Sequence, residues 1–315
     1  MKVILTDIKT VTKNDLDLSI FEKFGDVTMY DLTAYDEIAV RIKYADAVIC
    51  NKTKLDANVL KEAKNLKYIG LFATGYNNID IEYARKSNIT VCNAGSYSTN
   101  AVAQQTFAYI LNHFSKLMDY TNYVAAGKWK NSVTFSPFEF PTFELYGKNI
   151  GIIGYGSIGK RVASIANAFN MNVYVYSRTV YNDSTVKFVS LDHLLSISDI
   201  VTVHCPLNEA SYHMFNKDAF AKMKCNALFI NTARGGIVDE LALKEALDNG
   251  IIKAAALDVL TTEPMTDDCV LYNVRNLIIT PHTAWIPLET RQGLLGIVID
   301  NLDNFISGNP THVLS

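Results

Sequence analysis

Hydrophobic positions along the first third of the chain alternate between two patterns. Short runs rich in β-branched or aromatic side chains recur at Lys2–Thr6, Val27–Met29, Ala47–Ile49, Tyr68–Phe72 and Thr90–Cys92, and each reads as a strand. Between them, stretches such as Leu55–Ala63 and Ile79–Arg85 place apolar residues at helical steps. Strands that alternate with helices predict a parallel sheet with helices on both faces. The pattern changes near residue 99. Thr99 to Tyr120 has no Gly or Pro and sets Val102, Phe107, Ile110, Phe114, Leu117 and Met118 on one broad face, which predicts one long helix placed to join two domains. An aromatic loop with two prolines follows, from Trp129 to Phe143. A loop this long and apolar must pack on something, either its own subunit or a second copy as part of a dimer interface.

From Lys148 the alternation restarts. Asn149–Ile153, Val173–Tyr176, Ile200–His204, Ala227–Asn231, Ala254–Asp258 and Asn276–Thr280 are six candidate strands, enough for a complete doubly wound sheet. The last apolar segment, Leu294 to Ile306, reads as an amphipathic helix whose docking partner periodicity alone does not fix. The fold class expected is therefore α/β, with two Rossmann-like doubly wound parallel-sheet domains and a cleft between them.

Composition narrows the function. A length of 315 residues predicts two domains, and 49% hydrophobic with 19% charged residues is the mix of a chain that buries a large core. The net charge of −3 gives no bulk electrostatic reason to bind nucleic acid or an anionic membrane. No run approaches the roughly 18 apolar residues of a membrane span, and Met1–Asp7 reads as a first strand rather than a signal peptide, so a cytoplasmic location is expected. Five cysteines, an odd number with none close to another, argue against a disulfide framework or a Cys-based metal site; free thiols and no metal are expected.

Asn149-Ile150-Gly151-Ile152-Ile153 runs directly into Gly154-Tyr155-Gly156-Ser157-Ile158-Gly159. A Gly-x-Gly-x-x-Gly is weak by itself, but here a strand precedes it, Ile158, Val162, Ile165, Ala166 and Phe169 follow at helical spacing, and Val173–Tyr176 closes a βαβ unit. Gly154 then permits a tight turn, Gly156 lets backbone approach a pyrophosphate, and Gly159 lets helix lie close to strand. The usual acid about 20 residues on, which bonds the ribose 2′-OH, is missing. Tyr176-Ser177-Arg178-Thr179 stands there instead. Ser177 offers one hydrogen bond and Arg178 suits a 2′-phosphate, so among NAD(H) and NADP(H) the sequence favours NADP(H).

Ligands in such sheets bind beyond the carboxyl ends of the strands. Those ends carry Thr232-Ala233-Arg234-Gly235-Gly236, then Asp258 with Glu263-Pro264, then Pro281-His282-Thr283-Ala284-Trp285. A cation, a carboxylate and an imidazole suit hydride transfer to a 2-keto acid. Arg234 can hold the substrate carboxylate and polarise the carbonyl. His282 can protonate the ketone oxygen. Glu263 can fix the His tautomer. Among the other histidines only His204 also ends a predicted strand; with Cys205 and Pro206 it is expected to line the adenosine side of the cofactor.

These residues resemble the D-isomer-specific 2-hydroxyacid dehydrogenases over nearly the whole chain. The likeness rests on the glycine loop, Val203-His204-Cys205-Pro206-Leu207, Asn231-Thr232-Ala233-Arg234-Gly235-Gly236-Ile237-Val238-Asp239, Ala256-Leu257-Asp258-Val259 with Glu263-Pro264, and Pro281-His282. The resemblance implies Arg234, Glu263 and His282 as the catalytic set. It also implies Asp258 on the nicotinamide carboxamide, and cofactor contacts from Gly154, Gly156, Ser157, Ile158, Gly159, Ser177, Arg178, Thr179, His204, Cys205, Pro206, Thr232 and Ala233. Residues 1–98 plus 287–315 would form a flavodoxin-like substrate domain and 99–286 the dinucleotide-binding Rossmann domain, in a homodimer. Phe72-Ala73-Thr74-Gly75-Tyr76-Asn77-Asn78-Ile79-Asp80 resembles the loop whose backbone N–H groups hold the substrate carboxylate; its Ala-Thr-Gly form, with Trp285 after His282, is similar to the glycerate dehydrogenase (hydroxypyruvate reductase) branch. Thr74, Gly75, Arg234 and Trp285 are thus expected at the substrate, with Asn51 and Lys52, which end a strand. Gln104 stands where many members have Glu. The expected activity is an NAD(P)-dependent oxidoreductase on a small 2-keto or 2-hydroxy acid, hydroxypyruvate/D-glycerate or glyoxylate/glycolate. A bulkier keto acid such as an aryl pyruvate is the alternative. A non-enzymatic, NAD(H)-sensing corepressor shares the fold, but nothing in the chain looks like its peptide-docking extension.

Overall fold

The computed structural model describes residues 1–315 and resolves two compact units, Met1–Ser98 with Trp285–Ser315, and Thr99–Ala284. The second crossing falls between Ala284 and Trp285, two residues before the boundary expected from sequence.

In the first unit β1 (Lys2–Leu5), β2 (Asp26–Met29), β3 (Ala47–Cys50), β4 (Tyr68–Leu71) and β5 (Thr90–Cys92) form an all-parallel sheet of order β2-β1-β3-β4-β5, one of the two common doubly wound orders. Helices α1 (Tyr35–Ile42), α2 (Ala57–Leu60) and α3 (Ile81–Lys86) connect the strands. Asp56 and Asp80 start the last two by accepting the N–H groups of Val59 and Tyr83. Strand order reverses between β1 and β3. There the buried Asp7 carboxylate accepts the N–H groups of Asn51, Lys52 and Thr53 at 2.9, 2.6 and 2.8 Å, which compensates the cost of burying its charge.

The second unit opens with a correction. The single helix expected over Thr99–Tyr120 is two, α4 (Thr99–Ser115) and α5 (Leu117–Ala125), parted at Lys116, whose φ of +55° is left-handed. The break is satisfied locally: Phe143 N–H donates to the Phe114 carbonyl, and Met118 N–H to Asn112 Oδ1. After the aromatic segment come β6 (Asn149–Ile153), α6 (Ser157–Ala168), β7 (Asn172–Tyr176), β8 (Lys187–Phe188), α7 (Leu191–Ile197), β9 (Ile200–Val203), α8 (Lys217–Ala221), β10 (Leu228–Asn231), α9 (Glu240–Asp248), β11 (Ala254–Leu257) and β12 (Leu277–Ile279). All strands are parallel, in the order β12-β11-β10-β9-β6-β7-β8. This is the dinucleotide-fold order with one strand added at the β12 edge. Its strand order reverses between β6 and β9, so ligands are expected beyond the carboxyl ends of that pair. The chain then returns to the first unit for α10 (Leu288–Ile306), which begins before the expected Leu294. Its Leu294, Leu295, Val298, Ile299 and Leu302 are buried in one core with Leu5, Ile49 and Tyr68. At about 1.5–3 kcal/mol for each such side chain, that burial fixes which unit owns the helix.

Candidate active site

The glycine loop leaves β6 and enters α6. Gly154 has φ +95°, and a Cβ there would stand 2.8 Å from the His204 carbonyl and the Cys205 nitrogen. A Cβ on Gly159 would stand 2.1 Å from the Gly154 carbonyl oxygen. Both glycines are therefore demanded by the protein's own packing. Gly156 is different: a Cβ there would meet nothing within 4 Å. No side chain caps α6, so the N–H groups of its first turn, with Ser157 exposed and Ile158 half-buried, face outward under the positive end of the helix dipole. An open glycine before an uncapped helix fits a pyrophosphate.

Beyond β7, Ser177 is half-buried while Arg178 and Thr179 are exposed, and Arg178 has no carboxylate partner. The first acid downstream is Asp183, and it is occupied: Tyr155 Oη donates to it at 2.6 Å, and the N–H and hydroxyl of Thr185 at 2.9 and 2.6 Å. Beyond β9, His204 Nε2 is 2.9 Å from the Thr202 hydroxyl and Nδ1 is 3.4 Å from that of Thr232. Burial of the ring pushes its pKa down to about 3, so this imidazole is neutral. Burial likewise pushes the Cys205 thiol up. Pro206 is exposed, and its carbonyl accepts the Ser211 hydroxyl.

The polar residues at the ends of β10, β11 and β12 are held by a set of hydrogen bonds. After β10, the wholly buried Asn231 accepts from Ala233 N–H and donates to the Arg234 carbonyl, both at 2.9 Å, which shapes the turn that presents Arg234. The guanidinium is half-buried, with Nη1 donating to the neighbouring Ala233 carbonyl and no carboxylate partner. Gly235 presses this turn against the next one: a Cβ on it would stand 1.9 Å from the carbonyl carbon of Leu260. Leu260 N–H in turn donates to Glu263 Oε1 at 2.9 Å, and Glu263 Oε2 is 2.7 Å from His282 Nδ1. A carboxylate only accepts, so Nδ1 carries the hydrogen. Nε2 is left as the working nitrogen.

His282 has φ +54°. Its N–H donates to the Asp258 carbonyl at 2.8 Å. The Asp258 side chain, 1% exposed, accepts the N–H groups of Thr283 and Ala284, each at 2.8 Å, and the hydroxyls of Thr280 and Thr283. Three of these donors converge on Oδ1, whereas Oδ2 accepts only the Ala284 N–H among them. Asp258, expected on the nicotinamide carboxamide, thus also braces the loop that carries His282. The sequence reading missed Asn231, Thr280 and Gly235 as supports, since only the fold brings them to these turns.

In the first unit, the N–H groups of Thr74 and Gly75 have no acceptor within the protein, while the Thr74 hydroxyl donates to the Gly95 carbonyl and Asn93 Nδ2 to the Thr74 carbonyl at 2.8 Å. The turn is braced and its two N–H groups are available. Asn51 is buried and its amide is taken by Thr10, with 3.1 Å to the hydroxyl, whereas Lys52 is exposed. Trp285 is half-buried on the core of this unit, edge-on to Tyr97 at 6.4 Å.

Two parallel doubly wound sheets, a dinucleotide loop and an imidazole–carboxylate pair beside an arginine define a nicotinamide-dependent oxidoreductase. The family model for the D-isomer specific 2-hydroxyacid dehydrogenase NAD binding domain matches residues 107–284. A hydroxypyruvate reductase of Blautia hydrogenotrophica is 37% identical over 321 residues, covering 100% of both chains. A glycerate dehydrogenase of Methylorubrum extorquens is 36% identical over 281 residues, 89% of this chain and 88% of the relative. Among solved structures, an acyclic imino acid reductase in complex with NADPH and D-Arg superposes with a TM-score of 0.89 at 28% identity, covering 100% of both chains. The chain belongs to the D-isomer specific 2-hydroxyacid dehydrogenase family, and its cofactor is a nicotinamide dinucleotide.

Proposed function

We propose that this enzyme interconverts hydroxypyruvate and D-glycerate, with glyoxylate/glycolate as a second pair, and uses NADP(H) in preference to NAD(H). The observation that carries the chemistry is the 2.7 Å contact between His282 Nδ1 and Glu263 Oε2, on turns adjoining the one that presents an unpaired Arg234. Glu263 fixes the tautomer, so that Nε2 of His282 gives a proton to the carbonyl oxygen in reduction and takes it back in oxidation. Arg234 offers its planar fork to the carboxylate and carbonyl of the substrate. Bound nicotinamide supplies or accepts the hydride. In the first unit, the free N–H groups of Thr74 and Gly75 offer donors to a carboxylate, and the Trp285 indole suits a wall that limits the group beyond C3.

The substrate reading is supported by the two relatives named above, which are similar to this chain across most or all of its length. The cofactor reading is supported by an exposed, unpaired Arg178 and by the engagement of Asp183 elsewhere. The test is a steady-state panel of hydroxypyruvate, glyoxylate, pyruvate and phenylpyruvate against NADH and NADPH. The highest kcat/KM is expected for hydroxypyruvate with NADPH. A preference for phenylpyruvate would overturn the substrate reading, and a preference for NADH the cofactor reading.

We also propose a homodimer through the second unit. Val133, Phe135 and Phe138 are 103%, 90% and 95% exposed, so the aromatic segment does not bury them on its own subunit. Light scattering should give twice the mass of the 35.0 kDa chain, and Phe135→Ser with Phe138→Ser should shift it toward one.

A further inference from the structure

Tyr155, the residue between the first two glycines of the loop, is unexpected there. It is 4% exposed, and its ring lies under the connection that follows β7. Tyr181 of that connection stacks at a tilt, 5.8 Å between centroids, and Phe188 of β8 meets it edge-on at 5.4 Å. Lys160, from the first turn of α6, sits with Nζ 4.3 Å from the Tyr181 ring centre and 5.8 Å from that of Tyr155. The Tyr155 hydroxyl donates to Asp183, whose other oxygen closes a turn with Thr185. Asn167 of α6 donates to the Thr185 carbonyl at 3.3 Å. The segment from Ser177 to Val186 is thus tied to the glycine loop and to α6 at several points along its second half. The side chains of its first three residues, Ser177, Arg178 and Thr179, make no hydrogen bond or ion pair.

We propose that the Tyr155–Asp183 hydrogen bond is a specificity latch: it fixes the segment after β7 so that Arg178 and Ser177 meet the adenosine 2′ position, and it keeps the Asp183 carboxylate away from the ribose. The proposal rests on the reading of Arg178 as the 2′-phosphate reader. Two consequences follow from the geometry. An acid that could serve a ribose diol, as acids in this fold do, is withdrawn from that role by a phenol. The anchored half of the segment also reduces the freedom that Arg178 must give up to grip a phosphate, which is where pre-organisation adds affinity.

The test compares binding of 5′-AMP and adenosine 2′,5′-bisphosphate by calorimetry to the full-length apoprotein and to Tyr155→Phe, Asp183→Ala and Arg178→Ala. Melting temperatures check that each variant is folded. Wild type is expected to prefer the bisphosphate by tenfold or more. Arg178→Ala should abolish that preference, and Tyr155→Phe and Asp183→Ala should each reduce it at least threefold while AMP affinity changes less. If Arg178→Ala loses the preference but the other two variants retain it within error, the latch is refuted and the Arg178 reading stands. If Asp183→Ala weakens AMP and raises the preference, Asp183 is itself a ribose ligand and the latch is refuted. If wild type prefers AMP, the Arg178 reading falls and the latch falls with it.

Discussion

His282 occupies a left-handed conformation that costs a non-glycine residue about 1–3 kcal/mol, and the buried Asp258 carboxylate holds the two N–H groups that follow it. Asp258→Asn places an amide where only acceptors fit, so the loop must shift. A displacement of the order of 1 Å costs about 10²-fold in rate; kcat should fall by about that factor while the cofactor Kd changes less than threefold. A cofactor Kd that rises in step with the loss of kcat would put Asp258 on the nicotinamide instead. His282→Ala should lose about 10²–10⁴ in kcat, the worth of a positioned acid. Arg234→Lys keeps the charge and loses the fork, and should raise KM for the keto acid with little change for the cofactor. Steady-state kinetics with each substrate varied in turn reads both. Arg234, Glu263 and His282 could be picked out of the sequence because each follows a strand end in a chain with a dinucleotide loop. Tyr155, Asp183 and Asn231 could not: a tyrosine between glycines and an acid in a polar loop acquire meaning only through contacts that the fold makes.

The glycines of the β6–α6 turn separate folding from binding. Gly156 has room for a methyl group and an ordinary φ of −79°, so Gly156→Ala should leave the melting temperature of the apoprotein unchanged. It should weaken dinucleotide binding, because the open space before α6 is the place for a pyrophosphate. Gly159→Ala drives a Cβ into the Gly154 carbonyl and should destabilise the apoprotein by at least the 1–3 kcal/mol typical of overpacking. Equal melting shifts in the two variants would mean that the turn does not divide in this way. The strands themselves were legible, each expected run lying within a residue of an observed strand at either end, because central parallel strands are continuous apolar runs. β8 escaped, since two residues have no period. The break at Lys116 escaped because apolar spacing continues through it, and the contacts that satisfy the interrupted helix, from Phe143 and the Asn112 side chain, appear only in the fold.

For the whole molecule, two histidines of the second unit set how stability depends on pH. Burial, aided by Lys116 and Lys253, pushes the His113 pKa down to about 4, and burial pushes that of His204 to about 3. In the unfolded chain both take up a proton near pH 6.5. Below that pH the unfolded state binds more protons than the folded one, so stability is complete above about 6.5 and falls as pH drops toward the folded values. At pH 5 the loss is about 2 kcal/mol for each histidine, as an order of magnitude. The carboxylates held low by hydrogen bonds, Asp183 by Thr185 and Tyr155 and Asp56 by Tyr35, lose their contribution only below about pH 4, where unfolded carboxyls protonate. The interval from pH 7 to 5 therefore belongs to the histidines. Urea unfolding of the apoprotein should show the transition of the second unit moving to lower urea between those values. His113→Gln keeps a polar side chain without the titration and should remove about half of that movement, with His204 responsible for the remainder. A variant that loses as much stability as wild type between pH 7 and 5 would show that His113 is protonated as readily in the folded chain as in the unfolded one.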